Sequence, residues 1–303
     1  MVRIIIFLLT VGLTFSMSAQ STSFRVLAVS GANQYSEGGA AWKPLKVGVK
    51  LSGNSKIKTA DGSYVGLIHQ TGKTFEIKKA GVYDLKKIND KAVASAGSTE
   101  LSDKYAEFVV NKLSESDNED INKNKERYMN VTGAVKRADD QILVLMPELS
   151  EAYGPEVNFT WTSMPDLNNS SYLVEVKNIY DEVLKKEAVQ DTSFTLSFDE
   201  APFNESKMLL INVSVDGRPM VTSNKVGIKK LEEDRRSEIE PELKKLKESL
   251  SEDNALDMLI LGTFFEEHGL RVDALSAYHK AVELAPDVEV FRNTYLMYAA
   301  SAE

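Results

Sequence analysis

The spacing of apolar residues changes character along the chain. From Phe24 to Ile88 apolar positions alternate in short runs: Phe24, Val26 and Ala28; Ile57; Tyr64, Gly66 and Ile68; Phe75 and Ile77. Gly38-Gly39, Gly53-Asn54, Asp61-Gly62 and Thr71-Gly72 interrupt the runs. Period two punctuated by Gly, Asn and Asp predicts antiparallel hairpins, here about six short strands over 24–90. Asp61-Gly62 suits a two-residue turn, because Gly accepts positive φ without steric cost. Then Leu101, Tyr105, Phe108, Val109 and Leu113 fall at i, i+4, i+7, i+8 and i+12, one face of a helix over 99–114. Ser98 or Thr99 can cap it. Residues 115–128 are almost wholly polar, with Ile121 the main apolar exception, and predict a flexible linker and a domain boundary.

From 129 to 231 short apolar runs return. Val131 to Val135 and Ile142 to Met146 begin them; Val157, Phe159 and Trp161 alternate, as do Tyr172, Val174 and Val176. Phe194 to Phe198, Leu209 to Val215, and Val226 with Ile228 complete the set, with Asp216-Gly217 as a hairpin turn and Pro165 to Ser171 as a loop. Regularly spaced short strands predict a β-sandwich, with Trp161 in its core. The remainder, 237–303, is helical in pattern. Ile239, Leu243, Leu246 and Leu250 line one face of a helix over 237–250, and 290–300 is amphipathic. The fold class is therefore multidomain, β plus α.

At the N-terminus Arg3 precedes an apolar stretch from Ile4 to Phe15, followed by Ser16, Ser18 and Ala19. That order predicts a signal peptide over 1–19, cut after Ser18 or Ala19, and the stretch is too short to span a bilayer. The expectation is a periplasmic or secreted protein with no transmembrane span after cleavage. The chain has no cysteine, which excludes disulfides, thiolate metal sites and thiol nucleophiles. With 36 basic against 45 acidic residues and no basic cluster evident along the sequence, nucleic acid is not an expected partner.

Three resemblances follow from particular residues. Val26-Leu27-Ala28-Val29-Ser30-Gly31, Trp42-Lys43-Pro44-Leu45 with Gly48, Lys56-Ile57-Lys58-Thr59 and Ser63-Tyr64-Val65-Gly66-Leu67 resemble the FecR domain, an envelope β-module. Trp42 is expected to pack in its core and Pro44 to stiffen a turn. Phe159-Thr160-Trp161, Pro165 and Tyr172 to Val176 resemble an immunoglobulin or fibronectin-III domain. Residues 255–288 have the length of one tetratricopeptide repeat, about 34 residues. Leu261, Gly262, Phe265, Ala274, Tyr278, Ala281 and Pro286 stand in that repeat's register, with Met258 where the family usually has Trp. Small residues at Gly262 and Ala274 let two helices approach, His268-Gly269-Leu270 supplies the turn, and Pro286 ends the second helix. One repeat cannot bury its own faces. In the family, partner peptides lie along the inner face of first helices; the matching positions are Leu256, Leu259, Thr263 and Glu266.

Only His69, His268 and His279 offer imidazoles, and neither a nucleophile motif nor a phosphate loop occurs. The reading is a non-enzymatic envelope adaptor without cofactor or metal, binding protein partners. The alternatives are a cell-wall or carbohydrate-binding module using exposed aromatics such as Tyr35 or Tyr83, a periplasmic component of a FecR-type signalling system, and a hydrolase.

Overall fold

The computed structural model describes residues 22–94, 104–105, 107–113, 142–163 and 171–300. The expected signal peptide, the 115–128 linker, the Ser98/Thr99 cap, the strand at 131–135 and most of the loop from Pro165 lie outside them. The described chain is mixed β and α, with several sheets and six helices.

Eight strands come first: β1 (Thr22–Ser30), β2 (Asn33–Ser36), β3 (Lys43–Pro44), β4 (Lys50–Ser52), β5 (Lys56–Thr59), β6 (Tyr64–His69), β7 (Thr74–Ile77) and β8 (Gly81–Asp84). They form two antiparallel sheets, ordered β4-β1-β6-β7 and β3-β2-β5-β8. Phe24, Val26, Leu51, Ile57, Val65, Leu67 and Ile77 meet between them, and Leu85 at the start of α1 (Leu85–Ala94) joins this core. The strand pairing differs from the expected hairpins at two turns; at the first, Gly53-Asn54, β4 and β5 lie in different sheets. Gly62 does take positive φ (67°), but β5 and β6 lie in different sheets, so Asp61-Gly62 carries the chain between sheets and does not join paired strands. Trp42 is also not in the core: it is 39% exposed beside the edge strand β3.

The first sheet is buried on both faces. All six residues of β6 are buried. Val65 and Leu67 enter the core between the sheets, whereas Tyr64 and Ile68 enter a second core with the helices. On β1 the pairing with β6 slips between Val26 and Ala28. Such a bulge places two consecutive residues toward one side, and Leu27 and Ala28 both join the helical core. Gly66 is where the helices come closest: a Cβ there would lie 2.6 Å from Leu256 Cδ2.

The second β-region contains β9 (Leu149–Ala152), β10 (Glu156–Thr160), β11 (Tyr172–Lys177), β12 (Val183–Val189), β13 (Ser193–Ser197), β14 (Met208–Val215), β15 (Arg218–Thr222) and β16 (Val226–Lys230). One sheet runs β12-β11-β14-β16-β9 with β15 also on β14, and β10 pairs with β13. Phe159, Trp161, Tyr172, Val174, Ile211 and Val213 share the core between these sheets. Trp161 is 1% exposed there. Ile142 to Met146 is not a strand; it makes isolated bridges at Ile142–Ser223 and Val144–Trp161.

Five helices follow α1: α2 (helical at 104–105 and 107–113), α3 (Glu233–Lys247), α4 (Ala255–Glu267), α5 (Arg271–Leu284) and α6 (Glu289–Ala300). α3 begins four residues before the expected Ser237, where Glu233 and Asp234 suit the positive end of the helix dipole but carry no apolar period.

Gly66→Ala is expected to destabilise the protein by about 1–3 kcal/mol through overpacking, read by urea unfolding. Leu256→Ala in the same chain should recover part of that loss in a double-mutant cycle; strictly additive effects would show that Gly66 and Leu256 do not meet.

Candidate functional site

The site is built on the α4–α5 hairpin. Asn254 caps α4, its side-chain oxygen accepting from the amides of Leu256 (2.9 Å) and Asp257 (3.3 Å). Gly269 takes φ 68°, the left-handed conformation that ends α4 and turns the chain. Gly262 leaves room for the Tyr278 ring, since a Cβ there would lie 2.4 Å from Cε1. Leu261, Phe265, Ala274 and Ala281 are buried around this seam, and Pro286 follows α5 in an exposed position.

The inner face of α4 is occupied by the chain itself. Leu256 is buried against β6 at Gly66. Leu259 and Thr263 are buried, lining with Tyr278 and Thr294 a crevice closed by Val109, Lys112 and Leu113 of α2. Glu266 accepts from the Lys112 ammonium and, at 2.6 Å, from the Tyr278 hydroxyl. Lys112 Nζ lies 4.9 Å from the Tyr278 ring centroid and 4.8 Å from that of Tyr298, within cation–π range of both. Burial pulls the Lys112 ammonium below the usual lysine value, against the opposing pull of Glu266. Burial and then Glu266 push the Tyr278 phenol well above its ordinary value, and Tyr298 up to about 12. At the other end of α2, Tyr105 packs its ring on Phe264 and donates to Glu242 of α3 at 2.9 Å. The groove is thus shaped for an amphipathic helix that brings one cation between two tyrosines.

The hairpin also grips both β-regions. Asp257 Oδ1 accepts from the Thr74 hydroxyl at 2.6 Å, and Oδ2 from the Ser251 amide at 2.8 Å. Asp273 accepts from the amides of Tyr153 and Gly154, each at 2.7 Å. Asn158 N donates to Ser276 Oγ at 3.1 Å, and Arg236 donates to the Tyr153 carbonyl with its guanidinium 4.4 Å from that ring. Burial raises both carboxyls to about 6, although the bonds they accept pull the other way.

The histidines have separate partners. His69 is buried beside Phe24 and reaches Thr71 and Asn89; His268 contacts the Phe264 carbonyl and Glu242; His279 lies near Glu283 and Tyr295. Among the described residues no group of three or more His, Asp or Glu is placed to hold a metal ion. Tyr35 and Tyr83 are half-buried and pack against the first β core. Lys112, Asp257 and Asp273 were not singled out by sequence reasoning. Asp257 and Asp273 carried a signal all the same, each being a lone carboxylate inside an apolar helical run.

No family model matches this chain, and no curated protein matches it.

Both aspartates bind their proton more tightly in the folded than in the unfolded chain. Their stabilising contribution is therefore full below about pH 3.8 and is lost as pH rises through about 6. Between pH 4 and pH 7 the wild type should lose roughly 2–3 kcal/mol relative to Asp257→Asn, measured by urea unfolding at both pH values. An unchanged difference would show that Asp257 has no raised pKa.

Proposed function

We propose that the chain is a non-catalytic, exported adaptor of the bacterial envelope. In this reading residues 24–90 are a FecR-like β-domain, 129–231 an immunoglobulin- or fibronectin-like sandwich, and 255–288 a tetratricopeptide-like repeat with flanking helices. The repeat works inward. The observation that carries this reading is the double grip of the helical hairpin, Asp257 on Thr74 of the first β-region and Asp273 on Tyr153 and Gly154 at the edge of the second. Each of these acidic groups ties one element to another. Protein partners then meet the outer surfaces, because Leu256, Leu259 and Thr263 are buried and Glu266 is engaged by Lys112.

The test uses the full chain in its native envelope. A photoreactive residue at Met220, which is 90% exposed, is expected to capture discrete partner proteins, while one at Thr263 should cross-link only within the chain, to α2. Fractionation should place the protein outside the cytoplasm, with its mature N-terminus beginning after Ser18 or Ala19. An intact N-terminus on a cytoplasmic protein would refute export. Reaction of the full chain with a hydrolase-directed activity probe, without partner capture, would refute the adaptor reading.

A further inference from the structure

Charge is unevenly distributed over this protein. Between Thr22 and Ala94 there are twelve lysines and arginines against five aspartates and glutamates, in a chain whose formal net charge is −9. Strand pairing gathers several of the lysines on the outward face of the β3-β2-β5-β8 sheet. Gln34 stands opposite both Pro44 and Lys58, and Lys58 opposite Val82, so these four form a row across the sheet; all four are exposed. Lys56, two positions before Lys58, shares its face about 7 Å along the strand. Trp42 and Val82, 39% and 60% exposed, flank the lysines, and Lys43 and Lys46 are exposed beside Trp42. The opposite face carries Tyr35, Ile57 and Tyr83 into the core.

A solvated charged face does not account for this arrangement. Lysines often guard sheet edges, but β5 is an inner strand of its sheet. Most lysines on the large sheet of the second β-region have a carboxylate partner, Lys177 and Lys186 with Glu175, Lys185 with Glu187 and Lys229 with Glu151, while Lys230 reaches the Asn204 carbonyl instead. Among the described residues no carboxylate lies within ion-pairing distance of Lys43, Lys46, Lys56 or Lys58. Asp84, opposite Lys56, instead accepts from the Lys86 amide at 3.0 Å. Unmatched ammonium groups interleaved with an exposed indole and exposed aliphatic surface suit a ligand that alternates anionic groups with apolar ring faces.

We propose that this face binds an acidic polysaccharide, carboxylates on Lys56 and Lys58, and sugar rings against Trp42, Pro44 and Val82. The inference rests on the export reading, which brings the face to such polymers, and it specifies the alternative of carbohydrate binding with Trp42 in place of Tyr35 or Tyr83. A single strand of nucleic acid fits less well: the face offers one exposed aromatic ring for stacking and no arginine fork for bidentate phosphate contacts.

The test is affinity electrophoresis of the full mature chain in gels carrying polygalacturonate, with neutral dextran, poly-glutamate and a single-stranded oligonucleotide as comparisons. Polygalacturonate is expected to retard the wild type in low salt and dextran is not. Lys56→Glu with Lys58→Glu should weaken retardation at least about tenfold. Trp42→Ala should weaken it about threefold to tenfold without changing its salt dependence. All these side chains are exposed, so the variants are expected to fold, which circular dichroism checks. Absence of retardation, or equal binding of poly-glutamate or the oligonucleotide with no effect of Trp42→Ala, would overturn the proposal. Binding in the gel and location in the cell fail separately: an exported protein that ignores polygalacturonate refutes this site alone, and a cytoplasmic protein that binds it refutes export alone.

Discussion

A helix with apolar side chains on every side has no stable place in water, and α4 is such a helix. Every residue from Ala255 to Phe265 is buried. Its partner α5 covers one flank and leaves the others open, so further elements must close around the pair. The first β-region supplies β6 and β7, α2 fills the inner face, and β9 and β10 lie against α5. The result is one apolar core that draws on Leu27 and Tyr64 near one end of the chain and Phe291 and Tyr298 near the other. Most of the tertiary arrangement follows from that need for cover.

Apolar cover is not directional. The polar groups inside it provide direction. Asp257, Asp273 and Lys112 sit where a sliding contact would strand a buried charge, and each has partners at defined positions: Thr74, the Tyr153 and Gly154 amides, and Glu266. An unpaired group in such a setting costs more than its bonds gain. The three side chains therefore select one docking among many that the apolar surfaces would tolerate.

Legibility from sequence followed the same division. Period two and period 3.6 reveal which residues are strand or helix, because that signal is local. They do not reveal which sheet a strand joins. Tyr64, Gly66 and Ile68 stand out as the inner face of β6, yet Val65 and Leu67 are as deeply buried, because that strand has protein on both sides. The unbroken run Tyr64-Val65-Gly66-Leu67-Ile68 was the available sign. Strands without apolar alternation, such as Asn33–Ser36, were silent, and Trp42 is apolar without being interior. The four positions on α4 are those where the repeat resemblance places a partner peptide. What covers them, β6 at Leu256 and α2 at the other three, lies well over a hundred residues earlier, and no spacing rule spans that distance. The basic face was equally hidden, because Lys56 and Lys58 meet Gln34, Pro44 and Val82 only through strand pairing.

The ring contact between Tyr64 and Phe291, 5.3 Å between centroids, has a consequence for how the molecule is made. The ribosome releases the N-terminal strands long before it has synthesised the last helix. Until then the helix-facing side of β1 and β6 lacks part of its native cover, and closing so long a loop is slow. Nascent chains thus wait with part of an apolar sheet face open, a surface of the kind that holding chaperones bind. A stop codon before Glu289 would remove α6 and leave Tyr64 without its Phe291 partner.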